Sequence, residues 1–405
     1  MNGAYDAIIV GARCAGSPTA MLLAQKGYRV LLVDKATFPS NMPLSTHVVQ
    51  APALARLQRW GLLDQVIASG CPPLETYEFD FGPFAIAGPP KPLNGSGHAY
   101  APRRFVLDDI LVKAATAAGA ELREGFHVDD VLHDDGRVVG IEGHARRGGQ
   151  VRERAHVVIG TDGMNSFVAR AVQAPKYNTK PKLQGAVFSY WSGVQAQKFE
   201  VHVGDQQVTF AIPTNDGLTL VASAWPARDL PSARDNLEAK YLSTLRAVNP
   251  DLYERTLAGR REEGFILGAT ANYFRKPHGP GWALAGDAGY LKDPVTASGI
   301  TDAFRDAELL AEAVDAGLSG RQELETALAG FEARRNEQSA AMYEFTTQLA
   351  TQEPPPPEMQ QLLSAVARVP EASSAFLGVV AQTVPVQEFF APANVERVMA
   401  AASAP

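Results

Sequence analysis

Apolar positions along this chain change period several times, and the changes mark its elements. Tyr5-Asp-Ala-Ile-Ile-Val10 is a short apolar run closing on Gly11, as expected of a strand buried on both faces. A helical pattern follows to Lys26-Gly27, and a second run, Val30-Leu-Leu-Val33, ends at Asp34-Lys35. The same strand signal returns at His156 to Ile159 and at Ala283 to Ala285. The first of these closes on Gly160-Thr161-Asp162-Gly163 and the second on Gly286-Asp287, and a new helix follows each turn. Another helix runs from Arg104 to Ala118. Residues 119–158 alternate strand signals with turns at Gly136 and Gly148-Gly149, which predicts a β excursion.

Period two takes over at 183–225. Four strands are predicted there, Gly185 to Trp191, Phe199 to Val203, Gln207 to Pro213 and Leu218 to Trp225, with Asn215-Asp216-Gly217 as a turn. Helical spacing resumes at Asp235 to Leu245 and Leu252 to Leu257. Beyond Ala350 the composition shifts: Pro354 to Pro357 form a stiff polyproline run, then Met359, Leu362, Leu363 and Val366 fall at helical spacing. Prolines 370 and 385 start further segments, and Asn394 to Met399 form a last helix. This tail is expected to cap the nucleotide domain, in preference to serving as a lid or a dimer contact.

The turns carry the candidate chemistry. Gly11-Ala12-Arg13-Cys14-Ala15-Gly16 joins a strand to a helix, and Asp34 closes the next strand, so the glycine motif stands in the context that a dinucleotide site requires. Gly11 permits the sharp turn, Gly16 lets helix and strand approach, and the helix amino end faces a pyrophosphate while Asp34 takes ribose hydroxyls. Arg13 departs from the pattern, since glycine is usual there, and its side chain must turn away from the pyrophosphate or contact it. Asp162 places a carboxylate beside the same nucleotide, and Ser166 is positioned to cap the helix after it. In the stretch from Trp282 to Ala311, Asp287 can accept hydrogen bonds from a polyol and Pro294 shapes a loop. Gly299-Ile300 then opens a helix, with Phe304, Ala307, Leu310 and Ala311 on one face, whose amino end points at an electron-rich atom. A phosphorylated polyol against a flat ring is FAD.

Together these segments resemble the FAD-dependent enzymes typified by p-hydroxybenzoate hydroxylase, a group that includes flavin halogenases and geranylgeranyl reductases. The resemblance covers nearly all of residues 1–345. It adds Arg104, at the head of Arg-Phe-Val-Leu107-Asp108, as an arginine reaching the FAD pyrophosphate, Lys35 beside the ribose acid, and Val128 near the adenine. It implies an α/β fold: a discontinuous Rossmann-type FAD-binding domain (1–75, 98–182, 271–340), an inserted antiparallel-sheet substrate domain (76–97, 183–270) and a C-terminal helical segment (341–405). It further implies NAD(P)H as reductant, with no separate nicotinamide domain, and molecular oxygen as co-substrate. In the hydroxylases a flavin C4a-hydroperoxide delivers hydroxyl to an electron-rich ring. Halogenases carry a lysine after the first nucleotide unit and a Trp-x-Trp-x-Ile-Pro strand. No lysine lies between Lys35 and Lys91 here, and Val208 to Pro213 keeps only the Ile-Pro end. Geranylgeranyl reductases carry Cys-Gly-Gly where this chain has Asn41 to His47. Many relatives have Gly-Gln or Gly-Met where this chain has Ala297-Ser298.

Phe188, Tyr190, Phe210 and Trp225 are candidates to line a substrate cavity over the flavin. His47 is a candidate to modulate the ring, against an alternative role as a helix-start histidine bonded to nearby backbone. No dedicated catalytic acid stands out. The expected function is a single-component NAD(P)H-dependent monooxygenase of an aromatic or polycyclic small molecule. The alternatives are a reductase of unsaturated, isoprenoid-like substrates, a flavin-binding protein without turnover and an ordinary NAD dehydrogenase.

Bulk properties narrow the picture slightly. With 405 residues, 46% hydrophobic, the chain can bury a large core in two lobes. A net charge of −7 without basic runs argues against nucleic acid or an anionic membrane as partner. Cys14 and Cys71 are too few for a disulfide framework, and no metal-ligand spacing appears. No apolar run approaches membrane-spanning length and no leader precedes the first strand, so the expected location is the cytoplasm.

Overall fold

The computed structural model describes residues 4–146, 148–231 and 236–403. Its central sheet grows from the first apolar run. Tyr5–Val10 pairs in parallel with Val30–Val33 on one side and Gln150–Gly160 on the other, and Gln150–Gly160 pairs in parallel with Trp282–Leu284. Val10 lies opposite both Val33 and Gly160, and Gly160 lies opposite Leu284. The turns that follow these strands are thereby gathered at one edge of the sheet, outside the carboxyl ends, where open α/β sheets bind ligands.

The first strand alternates between two covered faces. Ala7 and Ile9 pack with Leu23, Leu107, Phe304 and Leu310, under the helices Gly16–Gln25, Arg104–Ala117 and Gly299–Leu318. Ile8 and Val10 pack with Val131, Ile141 and Val158, beneath the antiparallel ribbon Phe126–Asp134 and Arg137–Ala145. Burial on both sides explains why the run shows no polar alternation. The long strand Gln150–Gly160 serves two sheets: its first half pairs antiparallel with the ribbon, its second half parallel with the first strand.

The second large sheet is the inserted one. Gln184–Ser192, Thr219–Pro226, Gln207–Pro213 and Phe199–Gly204 pair antiparallel in that order, then Tyr77–Asp80 joins in parallel and Ala85–Gly88 closes the edge. One face holds Val187, Trp191, Ala211, Val221 and Trp225 against the helices Leu237–Val248 and Pro250–Ala258. The predicted helix start at Asp235 lies outside the described residues. The opposite face carries Phe188, Tyr190, Val201, Ile212 and Ala222.

The tail packs mainly on the inserted sheet and touches the nucleotide domain through residues such as Val48, Ala101 and Ala297. Its helices Pro357–Arg368 and Pro370–Val380 place Leu362, Leu363, Phe376 and Leu377 against the inserted sheet, in one core with Ile86, Phe199 and Phe79. The reason is supply of apolar surface: the nucleotide-domain helices already cover one another, whereas the edge strands Tyr77–Asp80 and Ala85–Gly88 present unmatched side chains. The preceding helix, Leu324–Leu349, runs unbroken through residue 341, and the chain turns only at residues 350–356. Among the described residues no single helix is long and apolar enough to cross a membrane.

Candidate active site

A cavity of about 2070 Å³ runs from the carboxyl edge of the parallel sheet to the apolar face of the inserted sheet and the start of the tail. Drug-sized ligands usually occupy roughly 300–1,000 Å³, so this space holds more than one such molecule.

At its nucleotide end, backbone geometry dominates. Gly11 has φ +104°, and a Cβ there would sit 2.6 Å from the Thr161 carbonyl oxygen. A Cβ on Gly16 would overlap the Gly11 carbonyl and lie 2.6 Å from Thr161 Oγ1. Ala12 and Ala15 are buried in the same turn. Arg13 turns out of it: Nη1 donates to Asp108 Oδ2 at 2.6 Å and Nη2 to Ser40 Oγ at 2.9 Å. Asp108, fully buried, also accepts from Arg104 at 2.9–3.1 Å. One carboxylate therefore keeps Arg13 off the turn and fixes Arg104 in the cavity wall. Asp34 accepts from the Ala12 amide at 2.7 Å and the Ala36 amide at 2.8 Å, one on each oxygen. Lys35 and Val128 line the same end, Lys35 exposed and Val128 half-buried.

Asp162 accepts from the Phe167 amide at 2.6 Å and the Val168 amide at 3.2 Å, while Ser166 caps that helix through Ala169. The other oxygen of Asp162 is buried without a partner, and burial raises its pKa above the usual carboxylate range. Asp287 follows Gly286, whose φ of +59° brings it against Ala15. Burial pushes the Asp287 carboxyl up to about 6, against the pull of Arg104 and Lys292. Pro294 opens a single 3-10 turn, Ala297 takes a left-handed φ of +50°, and the helix starts at Gly299-Ile300, with open space beside the Gly299 Cα.

The four aromatic candidates separate. Phe188 and Phe210 line the cavity. Trp225 lies opposite Gly185 in the register, on the other face, fully buried beneath Tyr241 and Leu245. Strand parity decides this: Phe188 pairs with Ala222, three residues before Trp225, so the two rings point to opposite sides. Tyr190 shares the face of Phe188 but is sealed behind the wall. Its hydroxyl is hydrogen-bonded to His47 Nε2, and the Arg103 guanidinium lies 3.8 Å from its ring centroid. His47 is fully buried with φ +64°, its Nδ1 unpartnered, while its neighbours Thr46 and Val48 line the cavity. Burial, with Arg104 and Arg103 nearby, holds its pKa well below the usual value, so the ring is neutral at physiological pH.

Two polar groupings were not among the residues expected from the sequence. Lys292, Asp302, Arg305 and Asp306 form a buried charge chain, with Arg305 to Asp302 at 2.7 Å and Arg305 to Asp306 at 2.8 Å. Against the effect of burial, Lys292 and Arg305 hold the Asp302 carboxyl below its usual range. Asp293, 1% exposed, accepts from Gln184 Nε2 at 2.6 Å and from the Val295 amide at 3.0 Å, and Gln352 Nε2 donates to Gln184 Oε1 at 2.6 Å. The signal available was the Lys-Asp pair just before Pro294.

Comparison with known proteins gives this arrangement its family. Residues 4–346 match the family model described as an FAD binding domain. Among curated proteins, the chain is 34% identical to Protein FixC of Salmonella typhi over 177 residues, 42% of this chain and 40% of FixC. It is 27% identical to digeranylgeranylglycerophospholipid reductase of Methanothrix thermoacetophila, covering 78% of this chain and 80% of that one. With squalene epoxidase 2 of Arabidopsis thaliana it shares 25% identity, over 76% of this chain and 54% of the relative. The chain thus spans about two-fifths to about half of the length of the FixC and epoxidase relatives. The solved flavin-dependent brominase Bmp2 superposes with a TM-score of 0.79 over 98% of this chain and 99% of that one, at 21% identity, a likeness of fold. The motif edge of the sheet, the cavity beside it and the family match lead to one conclusion: the chain belongs to the FAD-binding-domain family.

Proposed function

We propose that this enzyme is a single-component NAD(P)H-dependent monooxygenase acting on an aromatic or polycyclic small molecule. The residues present fit FAD. The Gly11–Gly16 turn has no room for side chains at its two glycines and leaves the helix amino end free for a pyrophosphate. Arg104, held by Asp108, supplies the matching positive charge. Asp34 would take the ribose, Val128 with Lys35 would flank the adenosine, Asp162 and Asp287 would take the polyol side, and Pro294, Gly299 and Ile300 would lie at the ring. Bound there, FAD supplies two-electron reduction by NAD(P)H and reaction with oxygen.

The chain's own contribution is positioning and exclusion of water. Phe188, Phe199, Phe210, Val201 and Ile212 give the substrate end an apolar wall, and the tail helices close it from outside. The single observation that carries the proposal is this continuity: one cavity joins the nucleotide cradle to a screened, aromatic-lined face. A neutral His47 tied to Tyr190 behind the wall acts on the stiffness of that wall and delivers no proton to the cavity.

The test is anaerobic reduction of the purified yellow protein by NADH and by NADPH, followed by oxygen in stopped flow and product analysis with labelled oxygen. An absorbance phase between reduced and oxidised flavin, and a labelled oxygen atom in a product, are expected. Reduction followed by featureless reoxidation, with hydrogen added to an unsaturated probe, would favour the reductase activity named for the Methanothrix relative. Bound FAD that neither nicotinamide reduces would mark a binding protein without turnover.

A further inference from the structure

The substrate end of the cavity carries an unmet demand for hydrogen-bond donors. Asp293 Oδ2 is buried and accepts nothing, although Oδ1 of the same carboxylate is doubly bonded. Gln352 Oε1 and Thr270 Oγ1 are likewise buried and unpartnered. All three residues line the cavity, and Gln184 ties Asp293 to Gln352. Buried polar atoms are nearly always paired, and an unpaired carboxylate oxygen is among the costliest exceptions. A second observation concerns charge. The inserted sheet and the tail bring Asp205, Glu344, Glu353 and Glu358 to the lining, and among the described residues they bring no lysine or arginine. The lining cations, Arg13, Lys35, Arg104, Arg170 and Lys292, all come from the nucleotide side, and Arg13, Arg104 and Lys292 are already paired with carboxylates.

We infer that Asp293, with Gln184 and Gln352, forms a recognition subsite for an O–H or N–H donor on an otherwise apolar ring substrate, and that the same end of the cavity rejects carboxylates. The inference rests on the reading of this cavity as a substrate site and names the chemistry it selects. Burial, which pushes the Asp293 carboxyl up to about 7, is consistent with an acceptor that lacks its donor until the site is filled. The tail takes part directly, because Gln352 sits in the turn between the helices Leu324–Leu349 and Pro357–Arg368.

Four probes sharing one ring system test this on the FAD-loaded protein by calorimetry at pH 8: 2-naphthol, 2-naphthylmethylamine, 2-methoxynaphthalene and 2-naphthoate. The two donors should bind at least about tenfold more tightly than the ether and the carboxylate. Asp293→Asn keeps an oxygen for Gln184 and Val295 and should erase that preference while retaining bound FAD. Gln352→Leu should weaken it less and serves if the first variant does not fold. Equal binding of naphthol and its ether by the wild type, tighter binding of naphthoate, or no binding of any probe would overturn the inference. A preference that survives Asp293→Asn, or loss of FAD from that variant, would also overturn it, the latter by assigning Asp293 to the flavin. Donor preference with no labelled oxygen in any product would leave the subsite standing and refute the monooxygenase reading alone.

Discussion

The two ends of the cavity are built in opposite ways. At the nucleotide end the shape is set by backbone: glycines at Gly11 and Gly16, amides donating to Asp34, and arginines neutralised by Asp108. At the substrate end the shape is set by side chains from distant segments, and polar atoms of Asp293, Gln352 and Thr270 are left without partners. Asp162 Oδ1 is an open acceptor at the nucleotide end too, so the contrast lies in construction: a shape fixed by backbone suits a ligand that never changes, whereas one assembled from distant side chains suits a ligand that arrives and leaves. The difference also predicts where damage goes. Substitutions at the first end should cost cofactor and stability together, and those at the second should change recognition while the fold stays intact.

Gly16→Val should have the largest effect. The added side chain meets backbone on the facing turn, with no flexible group to move aside. Protein lacking bound FAD, or none that folds, is the expected result, read from flavin absorbance and thermal unfolding. Normal flavin content would break the claim that backbone shapes this end. A pair within the inserted sheet comes next. Trp225→Ala, on the helix-covered face, should cost about 3–5 kcal/mol of stability, whereas Phe210→Ala, half-buried in the cavity wall, should alter probe affinity and leave stability within about 1 kcal/mol of the wild type. Denaturant unfolding and calorimetry separate the two, and exchange of these phenotypes would overturn the strand parity. Asp108→Asn follows, since it removes the charge shared by the buried guanidinium of Arg104 and the half-buried one of Arg13. A loss of about 1.5–3 kcal/mol is expected, with weaker FAD binding. Unchanged FAD affinity would show that Arg104 does not depend on Asp108.

The same contrast explains what was legible in the sequence. Gly11, Gly16, Asp34 and Asp162 stood out because each meets a local backbone requirement that few residue types satisfy, at a strand end that periodicity locates. The sheet at 183–225 was visible from its alternation, but which face met the cavity was not. Parity assigns residues to faces, and only the covering helices Leu237–Val248 and Pro250–Ala258 decide which face is dry core. Trp225 was misassigned to the cavity for that reason. The tail's partner was hidden similarly, since its apolar stripe matches any unmatched apolar edge. Asp293 lay within the motif itself, yet its role depends on Gln184 and Gln352, 109 residues before and 59 after it, a juxtaposition that spacing does not encode.

The pH dependence of stability carries a weaker signal of the same contrast. The Asp293 carboxyl sits at about 7 in the folded protein, and an unfolded chain restores it to roughly 3.9. The folded state therefore holds a proton that the unfolded state has released, and this contribution is complete below the unfolded value and disappears as pH rises through 7. Between pH 6 and pH 8 the wild type should lose about 1.4 kcal/mol relative to Asp293→Asn, a shift on the order of 1–2 °C in a chain of this size. The comparison is made with saturating FAD, and the raised carboxyls of Asp287 and Asp162 are common to both proteins and cancel in the difference. A bound donor such as 2-naphthol should flatten the wild-type curve, because a hydrogen bond to the ionised carboxylate lowers its folded pKa. Parallel melting curves across that range, with and without the probe, would mean that Asp293 is as fully paired as Asp108, and the two ends of the cavity would then share one design.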